Sequence, residues 1–236
     1  MTAAGPGEPD PYDVRRVRRA GGLLGAFNRA GVLGAADVHV GLRLARLGSD
    51  GDESVGLAAA LAVRGPRLGH VHVDLASIRE TAAVETDEPV DLSGLPWPEA
   101  GAWIDRVGAS GVVRVGEAEE EGPSRPLRLI GTRVYLDRYW REERQVAADL
   151  RGLAGGPVAG VRADVLAEGL GRIFAGETDG RQCLAAGAAV LRRLAIVAGG
   201  PGTGKTTTVA RIVALLAEQA AAAGAAAPLV GLAAPT

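Results

Sequence analysis

Apolar positions recur at intervals of three and four between 14 and 47, interrupted at Gly21-Gly22, Gly31 and Gly34. That spacing predicts two or three short helices, one of them over 38–47. An alanine-rich run over 54–63 predicts a helix buried on most sides, and Leu68-Gly69-His70-Val71-His72-Val73-Asp74-Leu75 alternates as a short strand does. A helix entered through Pro96 and Pro98 is expected over 97–107. Beyond a polar stretch at 117–126, rich in chain breakers, two short strands are expected between Leu127 and Tyr135, turning at Gly131. A helix over 136–150 would place Leu136, Tyr139, Trp140, Ala147 and Leu150 near one face. Glycines at 152–160 end that pattern, and helices follow over 163–174 and 182–193. Two continuous apolar runs, 194–198 and 228–233, flank a long helical pattern over 205–223. Such runs alternating with helices predict an α/β fold class and the beginning of a parallel sheet covered on both faces.

The pattern divides the chain into a loose tail at 1–13, a mainly helical domain at 14–125 and a second domain at 126–236. Composition fits that picture: 47% of the 236 residues are hydrophobic and 23% charged, which excludes a disordered or fibrous chain. No apolar run reaches the roughly 20 residues that span a bilayer, and the first residues lack a basic flank followed by an apolar core. No membrane partner is therefore expected. Cys183 is the single cysteine, which excludes an intramolecular disulfide and fits a reducing cytoplasm. Charge changes the picture more. Residues 1–125 hold 19 acidic and 13 basic side chains, a balance of −6, while residues 126–236 hold 9 and 13, a balance of +4. The front half is thus a poor grip for a nucleic-acid backbone and the back half a better one.

Of the 26 basic residues, 25 are arginine, and Lys205 is the only lysine. A coding bias accounts for the arginines and leaves one position that requires a compact ammonium. That lysine falls inside Gly199-Gly200-Pro201-Gly202-Thr203-Gly204-Lys205-Thr206, which fits the phosphate-loop pattern G-x-x-x-x-G-K-[ST] in full. Glycines let backbone N–H groups converge on phosphate oxygens, and the following helix directs its positive end at the same anion. Lys205 would reach the β/γ-phosphates of ATP, and the Thr206 hydroxyl would ligate Mg²⁺, with Thr207 beside it. A glycine turn matching by accident is the competing reading. It does not explain why the one lysine falls where the pattern needs it.

The residues around the loop resemble the RecD family, the alpha subunits of exodeoxyribonuclease V (RecBCD helicase–nuclease) within superfamily 1 DNA helicases. Ile196 to Thr208 is similar to that family's first helicase motif. Gln182, seventeen residues before Gly199, matches its adenine-contacting glutamine, a residue whose amide pairs a donor with an acceptor. Gly231-Leu232-Ala233-Ala234-Pro235-Thr236 resembles the start of motif Ia, which implies a contact of Thr236 with single-stranded DNA. Further upstream, 134–144 and 58–75 are similar to the segment leading into the motor and to the N-terminal domain, although His72 stands where cysteine is common. The resemblance implies a docking domain at 14–125 and the beginning of a RecA-like P-loop NTPase sheet at 126–236. It also implies ATP and Mg as cofactors. Single-stranded DNA, duplex DNA ends and the two other subunits of a heterotrimer are the implied partners. The activity implied is ATP-dependent unwinding of duplex ends in double-strand-break repair and recombination.

Two other classes stay open from the residues alone: a different P-loop NTPase, such as a kinase or transport ATPase, and a non-catalytic docking module. No carboxylate pair follows on a later strand and no arginine finger is assignable. The sequence is therefore expected to be one portion of a longer protein, binding Mg·ATP without hydrolysing it. Other residues are expected to be structural. His70, His72 and Asp74 lack a further imidazole or thiolate to complete a metal set. Cys183 reads as a small buried hydrophobe. Tyr135, Tyr139 and Trp140 read as core rather than as base-stacking platforms, and Glu119 to Glu121 as a solvated loop.

Overall fold

The computed structural model describes residues 16–17, 20–48, 51–84, 91–118, 122–176 and 180–233. The expected tail at 1–13, the acidic run at Glu119 to Glu121 and Thr236 all lie outside them. Two compact units divide between Arg144 and Gln145.

In the first unit α1 (Gly22–Arg29) and α2 (Ala35–Leu47) replace the broken helical pattern at the N-terminal end. Asp37, fully buried, starts α2 by accepting the Gly34 backbone N–H at 2.8 Å. Both its oxygens also accept from Arg67, at 2.7 and 2.6 Å. Its charge is thus paired and hydrogen-bonded, the condition under which a carboxylate tolerates burial. α3 (Glu53–Arg64) is the centre of the unit, with Val55 and Leu57 to Ala62 all buried. Its alanines are a steric requirement. A Cβ on Gly41 of α2 would stand 2.6 Å from the Gly56 carbonyl and 3.0 Å from the Ala60 methyl, so α2 and α3 approach at backbone distance. Ala45 faces Gly56 in the same crossing.

The alternating segment at 68–75 is only partly strand. A 3₁₀ turn over Gly65–Leu68 ends at Gly69 in a left-handed conformation (φ +78°), leaving β1 with just His72–Asp74. A short α4 (Ile78–Thr81) follows, then α5 (Ala100–Ala109). Glu99 caps α5 by accepting from the N–H groups of Gly101 and Ala102. Trp103 is 1% exposed, and its indole N–H donates to the Ser54 carbonyl at 2.8 Å, tying α5 to α3.

Three more strands complete a sheet: β2 (Val113–Val115), β3 (Leu127–Ile130) and β4 (Arg133–Leu136). The expected hairpin about Gly131 is present as β3–β4, with Gly131 at φ +59°. Strand order is β1-β4-β3-β2, with β2 parallel to β3 and the other pairs antiparallel. The mixed sheet therefore uses β3 and β4, and the boundary expected at 125/126 would separate β2 from its partner. Leu127, Leu129 and Val134 enter the same core as Leu24, Phe27, Leu57 and Trp103.

α6 (Asp137–Ala154) begins directly after β4 and runs past Gly152. Of its expected apolar face only Trp140 is buried, while Leu150 is 44% exposed. Two guanidinium groups cover Trp140, that of Arg128 at 3.7 Å and that of Arg144 at 5.0 Å from the ring centroid.

The second unit packs α7 (Ala163–Ile173), α8 (Arg181–Leu191) and α9 (Lys205–Ala222) around Leu166, Phe174, Ala186, Val190 and Leu215. The expected parallel sheet is not formed here: 194–198 and 228–233 carry no strand, and Ile196, Leu229 and Leu232 are largely or wholly exposed. A strand is held by the ladder that pairs its backbone groups, and among the described residues nothing pairs with either run. Continuous apolar character is necessary for a buried parallel strand, but neighbours on both edges make it one. Among the described residues, no helix is long and apolar enough to cross a membrane.

Candidate nucleotide-binding site

The glycine loop connects the apolar run at 194–198 to α9. Gly202 and Gly204 both take left-handed conformations, φ +76° and +77°, which residues bearing a Cβ rarely adopt. At Gly204 space is also missing, since a Cβ would stand 2.9 Å from the Gln182 amide nitrogen. One at Gly199 would stand 2.5 Å from the Thr203 hydroxyl. Thr203 donates that hydroxyl to the Gly200 carbonyl at 2.9 Å, bracing the loop across Pro201. Gly204 is the N-cap of α9 and has no side chain with which to cap it. The first-turn N–H groups of α9 thus carry the helix's positive end without a side-chain acceptor there, as an anion site requires.

Lys205 is the first residue of α9. Its Nζ donates to the carbonyls of Gly199 and Gly200, at 2.7 and 2.6 Å, so the ammonium lies across the loop. Thr206 and Thr207 follow on the first turn and are exposed. Thr208 is buried, and its hydroxyl lies 3.1 Å from the Gly204 carbonyl.

Gln182 stands at the start of α8, half-buried, and reaches the loop from the side. Its Nε2 donates to the Thr203 carbonyl at 3.3 Å. Its Oε1 accepts from Thr208 Oγ1 at 3.2 Å and from Arg211 Nη1 at 3.3 Å. Gln182, Thr203 and Thr208 border an open cavity of about 260 Å³, lined also by Ala185, Val197 and Lys205 among others. Apart from Arg181 and Lys205 that lining is uncharged, and it contains no carboxylate.

Gly199, Gly200, Pro201, Gly202, Thr203, Gly204, Lys205, Thr206, Thr207 and Gln182 are therefore brought together, whereas Thr236 lies outside the described residues. Arg211 and Thr208 belong to the arrangement without having been singled out from the sequence. Both lie on the face of α9 that meets Gln182, at i+3 and i+6 from Lys205, so helical spacing alone carried the signal. Among the described residues no three His, Cys, Asp or Glu side chains are grouped to hold a metal ion. His72 instead stacks at 5.1 Å on Tyr135. Thr206, exposed on the first turn of α9, carries an oxygen donor of the kind that Mg²⁺ takes.

A left-handed glycine loop, an ammonium lying across it and an uncapped helix start together give this end of α9 the form of a phosphate loop. The family model for the AAA domain matches residues 182–236, and that for the RecBCD enzyme subunit RecD, N-terminal domain, matches residues 29–135. The chain is 45% identical over 214 residues to the RecBCD enzyme subunit RecD of Mycolicibacterium smegmatis, covering 91% of this chain and 34% of that protein. It is likewise 45% identical over 226 residues to the RecBCD enzyme subunit RecD of Mycobacterium tuberculosis, covering 95% of this chain and 35% of the relative. The chain belongs to the RecD family, and it spans about a third of the length of the curated relatives it matches.

Proposed function

We propose that this chain is the nucleotide-binding portion of an ATP-dependent DNA helicase subunit in a RecBCD-type helicase–nuclease. The subunit would unwind duplex DNA ends in double-strand-break repair and recombination, in the cytoplasm. The observation that supports it most is the convergence of Lys205, the glycine loop and Gln182 on one cavity, in a chain of the RecD family. The loop amides and the α9 N-terminus hold the phosphates, Lys205 supplies their counter-charge, Thr206 reaches Mg²⁺ and Gln182 contacts the base. Mg²⁺ held at Thr206 would supply further charge neutralisation to the phosphates. The first unit, with more acidic than basic residues, docks on the two other subunits, and Thr236 belongs to the path of single-stranded DNA.

The cavity holds no carboxylate to position a water, so the 236-residue chain binds Mg·ATP and hydrolyses it no faster than background. In a full-length protein, Lys205→Ala abolishes DNA-stimulated hydrolysis while leaving the fold intact. Lys205→Arg fails too, because a planar guanidinium does not occupy an ammonium's place among phosphate oxygens. Steady-state ATPase assays with and without single-stranded DNA decide it. Near-normal turnover by either variant overturns the assignment of Lys205, and ATPase activity indifferent to DNA favours a different P-loop enzyme.

A further inference from the structure

The side-chain amide of Gln182 touches three groups that differ in what they demand of it. The Thr203 carbonyl only accepts, so it faces Nε2, at 3.3 Å. Arg211 Nη1 only donates, so it faces Oε1, also at 3.3 Å. The Thr208 hydroxyl, 3.2 Å from Oε1, can do either. Its single proton has a second acceptor in the Gly204 carbonyl at 3.1 Å, so Thr208 accommodates whichever end of the amide it meets. Of the three, Arg211 is the one that fixes the oxygen end. Its bond is charge-assisted, and its guanidinium is braced 4.6 Å from the ring of the buried Phe174.

Fixed in this way, the amide still has one acceptor and one donor for a base. A carbonyl oxygen has two lone pairs. Arg211 takes one, and Thr208 gives up the other by turning its proton to Gly204. Of the two Nε2 protons, Thr203 takes one. Gln182 therefore presents an acceptor beside a donor to the cavity it lines, in a set order. Adenine carries the matching donor and acceptor in its amino group and N7, whereas guanine carries two acceptors there, O6 and N7. A pinned Oε1 meets guanine O6 lone pair against lone pair. An amide able to turn over would offer guanine its nitrogen instead.

We propose that Arg211 makes this site selective for adenine nucleotides by preventing the Gln182 amide from turning over. Arg211 acts through Gln182 and is a positioning residue. The inference rests on the nucleotide-site reading above.

Equilibrium binding of Mg·ATP, Mg·GTP and Mg·tripolyphosphate to the 236-residue chain and its variants tests it. The parent is expected to prefer ATP over GTP by about tenfold or more. Arg211→Met keeps a stem over Phe174 but no donor, and is expected to reduce that preference to about threefold or less. Arg211→Ala follows it and serves should the methionine variant fold poorly. Tripolyphosphate, which has no base, binds parent and variants alike, which a general loss of structure would not allow. Arg211→Lys restores a cationic donor and recovers most of the preference. Thr208→Val, which removes the indifferent hydroxyl at nearly constant shape, keeps the preference. A parent that does not prefer ATP overturns the role of Arg211. So does a preference undiminished in the methionine and alanine variants, or one not recovered with lysine. A parent that does not bind Mg·tripolyphosphate overturns the nucleotide-site reading itself, and this inference with it.

Discussion

Arg128 is wholly buried, and its neighbours hold its charge. Nε donates to Asp137 at 2.7 Å, Nη1 to the Gly116 carbonyl at 2.8 Å, and the plane stacks 3.7 Å from Trp140. Asp137 also accepts from Arg141 at 2.8 Å. Removing one member of such a group strands the others, so Arg128→Ala is expected to destabilise the first unit by about 3–5 kcal/mol. Arg128→Lys should recover little, because an ammonium neither stacks as a plane nor donates in two fixed directions. Urea denaturation of both variants checks this, and a lysine variant as stable as the parent refutes the geometric account. At this scale legibility was uneven. The solitary Lys205 and its glycines declared themselves, because loop chemistry is local in sequence. Arg128 did not: it sits in a strand pattern where arginine reads as solvent-facing, and the partners that neutralise it are nine to twelve residues away. Gln182 was legible only through resemblance, and Arg211 not at all, since what an amide faces is decided by packing.

Among the elements, α3 shows how a terminus fixes an interior. Asp52 caps it, accepting from Ser54 N at 2.7 Å and Ser54 Oγ at 2.6 Å, with Arg106 at 3.7 Å. The Ser54 hydroxyl bond, the Ser54 amide and the Arg106 charge hold the Asp52 carboxyl below its usual pKa, partly opposed by burial. A carboxyl whose pKa is lowered by folding stabilises the fold at pH values above its unfolded value, near 4, and loses that contribution as pH falls through its folded value. Asp52→Ala is therefore expected to cost about 0.5–2 kcal/mol at neutral pH. The difference from the parent should vanish progressively below about pH 4. Thermal melts at pH 7 and pH 3 read it, and a cost independent of pH removes the charge from the explanation. Helices were legible because their periodicity spans many residues: α3, α7, α8 and α9 fall within a few residues of expectation. β2 was missed, since three residues carry no measurable alternation. The runs at 194–198 and 228–233 show the converse, strand composition without a ladder to make it a strand.

The whole molecule turns on where the first unit ends. Composition placed the boundary at 125/126, where charge and chain breakers cluster, because linkers and solvated loops share one vocabulary. The sheet gives a different answer. In the order β1-β4-β3-β2, β1 pairs only with β4 and β2 only with β3. A fragment ending at 125 keeps the two outer strands and neither partner. It also loses Leu127, Leu129 and Val134 from the core that contains Phe27, Leu57 and Trp103, and with them the Arg128 group. A fragment ending at Arg144 keeps all four strands, Trp140 and the Arg144 to Glu117 ion pair. Residues 1–144 are accordingly expected to melt in one cooperative transition, as small single domains do. Residues 1–125, with buried apolar side chains uncovered and two strands unpaired, are expected to show no cooperative transition and to bind a hydrophobic dye at neutral pH. Circular dichroism melts of the two fragments decide between the boundaries. Equal, cooperative melting of both would mean that β3 and β4 add nothing to the first unit and that the chain divides where its composition changes.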